Sequence, residues 1–181
     1  MLALVASLAA LFAAPAPARV APPPSLPVPR SATPTANAHT AAAPRCKTAG
    51  LVMWLNAEGS GTAGSFYYKL EFVNFSGHTC TLAGYPGVSA VSLGGRRIGA
   101  SAKREVTGRP RTVTLAPEGG ATAIVRVVDV GALPSSCHPT AAAGFRVYPP
   151  GETASKVVPY PFRTCANARE SSISVRALER E

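Results

Sequence analysis

Aspartate is almost missing from this sequence: Asp129 stands alone, and the eight glutamates are scattered through turns and polar strand positions. Acid–base work by paired carboxylates needs two such groups converging, and no spacing here favours that. Histidine is scarce as well. Of three in 181 residues, His39 falls in a proline-rich segment, which leaves His78 and His138 as candidate bases. Each stands close to a cysteine expected to be oxidised, so neither forms a living Cys–His nucleophile pair. There is no Gly-x-Ser-x-Gly elbow. No Cys-x-x-Cys, paired-histidine or His-x-Met spacing occurs, so a metal site drawn from His78, His138 and Met53 has no motif behind it. The Gly/Ser-rich residues 58–64 lack the Gly-Lys-Ser/Thr and following helix of a phosphate loop, and read as a flexible connection. These absences argue against an enzyme; no catalytic residue, cofactor or metal is expected.

Long apolar runs are limited to one, residues 2–14, interrupted only by Ser7. It is too short to span a bilayer, which takes about 20 residues. Ala16-Pro17-Ala18 follows as a small-residue cleavage site, so residues 1–18 read as a secretory signal peptide. No Lys or Arg precedes the run, as a start site placed too far downstream would produce. Residues 19–44 are Pro, Ala, Ser and Thr with no aromatics or periodicity, a disordered tether that cannot bury enough surface to offset ordering entropy. Residues 45–181 form the folded domain, secreted or held in the cell envelope, with no transmembrane segment.

What is present is β pattern. Residues 66–74 alternate, with Phe66, Tyr68, Leu70 and Phe72 on one face and Tyr67, Lys69 and Glu71 on the other. Residues 46–56 are apolar on both faces, with Leu51, Met53 and Leu55 against Val52 and Trp54, which predicts a central or covered strand. Asn74-Phe75-Ser76-Gly77 is turn chemistry, read as such rather than as a glycosylation sequon. Gly84-Tyr85-Pro86-Gly87 predicts either a type II turn centred on Pro86-Gly87 or a type VI turn with a cis Tyr85-Pro86 bond. A hairpin through Gly94-Gly95 would set Val91 opposite Ile98 and Leu93 opposite Arg96, leaving Arg96 at the rim of the core face. Residues 112–115 place Val113 and Leu115 inward, and residues 121–130 are the longest β-branched run. Residues 133–144 read as irregular, with at most one helical turn over 139–143 stopped by Gly144. Residues 145–148, 156–158 and 173–178 complete eight or nine short strands. This is an all-β pattern, an immunoglobulin-like β-sandwich in its layers. The antibody-type Cys…Trp…Cys spacing is absent, so no antibody-type topology follows.

Four cysteines behind an export signal read as disulfides. Three connectivities are open; pairing between sequence neighbours, Cys46–Cys80 and Cys137–Cys165, is the expectation. Each closes a loop of about 30 residues, worth roughly 3–4 kcal/mol.

Cys46, the block NFSGHTCTLAGYPGV over residues 74–88, TLAPEGGATA over 114–123, Cys137-His138-Pro139, FRVYPPGE over 145–152 and Cys165 together resemble the exported actinobacterial family called domain of unknown function 4232. The resemblance covers residues 45–178. It implies an exported β-sandwich and no assigned activity. One departure is Glu118, where the family usually continues Pro-Gly.

Charge points to a partner. The formal net charge is +9. Arg96, Arg97, Lys103, Arg104, Arg109 and Arg111 fall in one short region opposed by Glu105 alone, a candidate anion-binding cluster. Arg96/Arg97 and Lys103/Arg104 flank one strand, so they are expected roughly 20 Å apart at opposite ends of one sheet. The bland reading of such density is a solvated basic face. The functional expectation is a non-catalytic binding module for an anionic wall polymer or envelope protein. Nucleic acid is not expected, because no aromatic residue interleaves with the cluster. The rival is an extracytoplasmic hydrolase whose site is not visible in sequence.

Overall fold

Alternation of apolar and polar side chains gives strands that bury one face, and the core is built from two such faces. A computed structural model describes residues 42–62 and 64–181. The leader expected at 1–18 and nearly all of the tether expected at 19–44 lie outside the described residues. The strands are β1 (Leu51–Thr62), β2 (Ser65–Asn74), β3 (Cys80–Ala83), β4 (Gly87–Val91), β5 (Arg97–Ile98), β6 (Lys103–Arg104), β7 (Thr112–Leu115), β8 (Gly120–Val128), β9 (Pro139–Tyr148), β10 (Lys156–Cys165), β11 (Ile173–Val175) and β12 (Glu179–Arg180). One sheet runs β1-β2-β8-β11-β6, with β12 also paired to β8; a second runs β10-β9-β4-β5; β3 and β7 form a small third ladder. All strand pairs are antiparallel except β6 with β11. Tyr68, Leu70 and Phe72 of β2 and Ala121, Ala123, Val125 and Val127 of β8 share one core with Val88, Ala90, Phe145, Val147 and Val158 of the second sheet. The chain is an all-β sandwich. Burial of a side chain such as Phe72 or Phe145 contributes about 1.5–3 kcal/mol.

Cys46–Cys80 and Cys137–Cys165 are the two disulfides, as neighbour pairing predicted. Backbone pairing begins just before the first of them: Thr81 donates to the Pro44 carbonyl, and Cys46 donates back to the Thr81 carbonyl.

Several local expectations are corrected, each because tertiary pairing overrode a local preference. Residues 58–62 are not a loose connection. They continue β1, with Ser60 opposite Tyr67 and Thr62 opposite Ser65, after a register shift between Asn56 and Ser60. Nor is β1 central or covered on both faces: among the described residues β2 is its only sheet neighbour, and Val52 and Trp54 remain 43% and 39% exposed. The helical turn expected over 139–143 is strand. Cys165 is cross-linked to Cys137 and pairs with Pro139, so the alanines after it are drawn into register with β10 despite their helix propensity. Among the described residues no cis bond exists, and Pro86-Gly87 is not a turn centre. Gly84 takes the left-handed conformation, at φ 103°, and Gly87 is already paired with Tyr148. In the β4–β5 hairpin, Ala90 faces Ile98 and Val91 faces Arg97, one residue off the expected register. The loop therefore has three residues, with Gly95 at φ 73°, a turn-plus-bulge form. The shift puts Leu93 in the loop, where it is 98% exposed, and leaves Arg96 exposed rather than at the core rim, while Val91 stays buried and Ile98 packs on the core.

Asn74 ends β2 and is wholly buried, which removes it as a glycosylation acceptor. Its Nδ2 donates to the carbonyls of His78, Leu115 and Ala116, and its Oδ1 accepts from the Ser76 amide and hydroxyl. Its backbone carbonyl accepts from Glu118 N at 2.7 Å. Glu118 holds φ 64° in the turn closed by Gly119 N donating to Ala116 O. That is the third position of a type II turn after Pro117, where glycine fits without Cβ strain. The departure from Pro-Gly thus has a conformational cost. In urea unfolding of the oxidised protein, Asn74→Ala is expected to lower stability by about 3 kcal/mol through orphaned carbonyls. Glu118→Gly is expected to raise it by roughly 0.5–1 kcal/mol, since relief of left-handed strain outweighs glycine's entropy; no gain in midpoint would contradict the turn assignment.

Candidate anion-binding site

The six cations of the expected cluster are all exposed, but they do not act as one group. Arg96 and Arg97 belong to the β4–β5 hairpin of the second sheet, whereas Lys103 and Arg104 form β6 at the edge of the first. They are therefore on different sheets, not at the two ends of one. The chain crosses between sheets around Gly99, where a Cβ would run into the Cys165 carbonyl, and a change of sheet within four residues left no periodic signal. Arg104 lies over the Tyr85 ring, 5.5 Å from its centroid, a cation–π contact. Arg109 and Arg111 project from the segment that follows.

Glu105 does not neutralise its basic neighbours in sequence. Its carboxylate accepts from the Ser174 hydroxyl and from Arg176 Nε at 3.1 Å, and it lies 3.8 Å from Arg126 Nη1. The Ser174 hydroxyl, followed by Arg176 and Arg126, holds the carboxyl below the usual glutamate range against the opposing effect of partial burial. Among the described residues the ion pairs are Lys47–Glu152, Arg126–Glu105 and Arg176–Glu105. None of the six cluster cations takes part, so their charge is left for solvent or a ligand.

The segment 107–113 and residues 177–180 enclose a cleft of about 600 Å³. It brings Arg109 and Arg111 together with Arg180 of β12, whose Nη2 donates to the Thr114 carbonyl at 3.4 Å. Thr107 and Thr112 add hydroxyls, and Glu179 is the one acid on the lining. Arg180 was missed in the sequence because it lies almost seventy positions from Arg111. Only the pairing of Glu179 with Thr122 and Arg180 with Ala121 on β8 brings it close.

The other candidates lie elsewhere. His78 is exposed with Nδ1 3.0 Å from the Ser76 carbonyl. His138 is exposed in a left-handed conformation, at φ 52°. Neither lines the cleft. Met53 packs on the core. Among the described residues no group of three His, Cys, Asp or Glu side chains is placed to hold a metal, and no helix is long and apolar enough to cross a membrane.

Glu105 joins β6 to β11 and β8 at the start of the basic segment, so its titration is coupled to that junction. Its depressed folded pKa stabilises the domain fully above the ordinary value of 4.5. That contribution is lost as pH falls through the folded value. Glu105→Gln should therefore flatten the acid limb of a stability–pH profile relative to wild type while leaving the neutral region's slope unchanged, measured by denaturant midpoints.

No curated protein and no solved structure matches the chain. The family model described as Domain of unknown function (DUF4232) matches residues 46–179, a span holding both disulfides, the Asn74 pin and most of the cleft, and the chain belongs to that family.

Proposed function

We propose that the protein is an exported, non-catalytic binding module that engages an anionic polymer of the cell envelope through the cleft of Arg109, Arg111 and Arg180. The observation that carries this reading is the convergence of Arg180 with Arg109 and Arg111, which lie far from it in sequence, on one cavity with no ion pair among the described residues to absorb them. Guanidinium forks bind carboxylate or phosphate through paired hydrogen bonds. The formal charge of +9 draws such polymers in from a distance. Two disulfides suit an oxidising, extracytoplasmic compartment. No aromatic side chain lines the cleft, so bases have nothing to stack on, which favours a polymer of acidic groups over nucleic acid. The placement of His78 and His138 away from the cleft supports binding over hydrolysis.

Because the charges are exposed, binding should weaken with salt over the range where the Debye length falls below about 10 Å. The decisive comparison matches charge. Arg109→Ser/Arg111→Ser/Arg180→Ser should bind an anionic polymer such as heparin or polyglutamate about tenfold more weakly than wild type. Arg96→Ser/Arg97→Ser/Lys103→Ser, which removes the same three charges elsewhere, should show a smaller loss. Equal elution salt for the two triple variants would mean that only net charge matters, and the cleft would lose its role.

A further inference from the structure

A second cavity, of about 260 Å³, opens between the sheets where β2, β8 and β10 diverge. It shares no residue with the arginine cleft, and the two lie at opposite ends of β8, roughly 20 Å apart by strand rise. Its walls are aromatic: Phe66 and Tyr68 from β2, Tyr160 and Phe162 from β10. Asp129, the chain's single aspartate, stands on the lining, as does Arg163.

The walls follow from two local features. Phe66 shares the inward face with Tyr68, Leu70 and Phe72, yet it is 46% exposed because the second sheet does not cover it. Strand β10 carries one extra residue between Pro159, opposite Gly144, and Phe162, opposite Ala142. That bulge sits beside the cavity and is permitted by Gly144, where any Cβ would run into the Val158 carbonyl. The rings are held in place. Phe162 stacks on the buried Phe145 at 4.3 Å between centroids, Tyr160 lies nearly parallel to the same ring, and Tyr68 tilts against Tyr160 at 5.0 Å. Burial, and then the hydrogen bond with Tyr160, pushes the Tyr68 phenol up, so its ring stays uncharged. Asp129 is fixed too, its Oδ1 accepting from Gly131 N at 2.9 Å. Neither Asp129 nor Arg163 takes part in any ion pair among the described residues.

From these observations we infer that the cavity is a binding site for a small organic ammonium ion, preferably one that also carries an anionic group. Three rings held by their packing, the ring of Phe66 and one carboxylate supply what an alkylammonium needs: aromatic quadrupoles around it and a counter-charge at the mouth. A bare cation approaches a protein of net charge +9 against repulsion. A zwitterion does not, and Arg163 gives its anionic end a partner.

Titration calorimetry with choline, with glycine betaine and with 3,3-dimethylbutanol, the neutral isostere of choline, tests the inference. Choline and betaine should bind, and the isostere should bind at least about tenfold more weakly. Equal affinity for the isostere, or no binding of either ammonium compound, overturns the site. Phe66→Leu keeps an apolar side chain but removes a ring, and Asp129→Asn keeps a turn-capping side chain but removes the charge. Both should weaken choline about tenfold with unchanged melting; unchanged choline affinity in either overturns the cage. Arg163→Ser should weaken betaine and spare choline, whereas unchanged betaine affinity overturns the preference for a zwitterion.

Discussion

The Asn74 side chain is the contact on which the arrangement of the other parts depends. Its five hydrogen bonds tie the end of β2 to the Ser76–His78 turn on one side and to the Leu115–Ala116 carbonyls on the other. Those two regions lead into the cysteine of β3 and out of β7, the two strands of the small ladder. An amide is the only side-chain group that donates twice and accepts at one buried point. Aspartate would set a carboxylate against three carbonyl oxygens, and leucine would satisfy none of them. The Cys46–Cys80 bond lies beside this pin, so the first disulfide and the first buried polar network hold the same corner of the sandwich.

Two edges on the same side of the sandwich are treated differently. Strand β10 carries Pro159 and Pro161, which cannot donate to an added strand, together with a bulge. Strand β1 carries no proline and presents Val52 and Trp54 beside its edge. Near Leu51 the two edges meet, where Lys156 Nζ donates to the Leu51 carbonyl. Further along they part, and the aromatic cavity lies where β10 has bulged away.

The charge distribution is ordered by the same framework. Glu105 is taken up by β11 and β8, and Glu152 by Lys47 and the Thr48 amide, which hold its carboxyl below the ordinary range. With these acids engaged elsewhere, the arginines of the 107–111 segment and of β12 make no ion pair among the described residues at one end of β8. The aromatic cavity holds the lone aspartate near the other. One strand thus separates a basic cleft from a cage with a single carboxylate, which suits ligands of different charge.

The β-sandwich, the inward faces of β2 and β7, and the neighbour pairing of the cysteines were legible in the sequence. They rest on period-two alternation and on short separations, 34 and 28 residues between the paired cysteines, which depend on nothing remote. The exposed basic character of 103–111 was legible for the same reason. Where expectation and structure parted, a remote partner had decided the matter. Aromatic residues of β2 drew the Gly/Ser stretch of β1 into the ladder. Cys165 held Pro139 and the alanines after it as strand, and a single-residue slip turned Leu93 outward. The sites depended on such partners most. Arg180 reaches the cleft only through the pairing of β12 on β8, and the aromatic walls meet only because a bulge in β10 faces an uncovered Phe66. Local pattern determined which side chains face inward; the pairing of distant strands, which local preference does not encode, decided which of them converge.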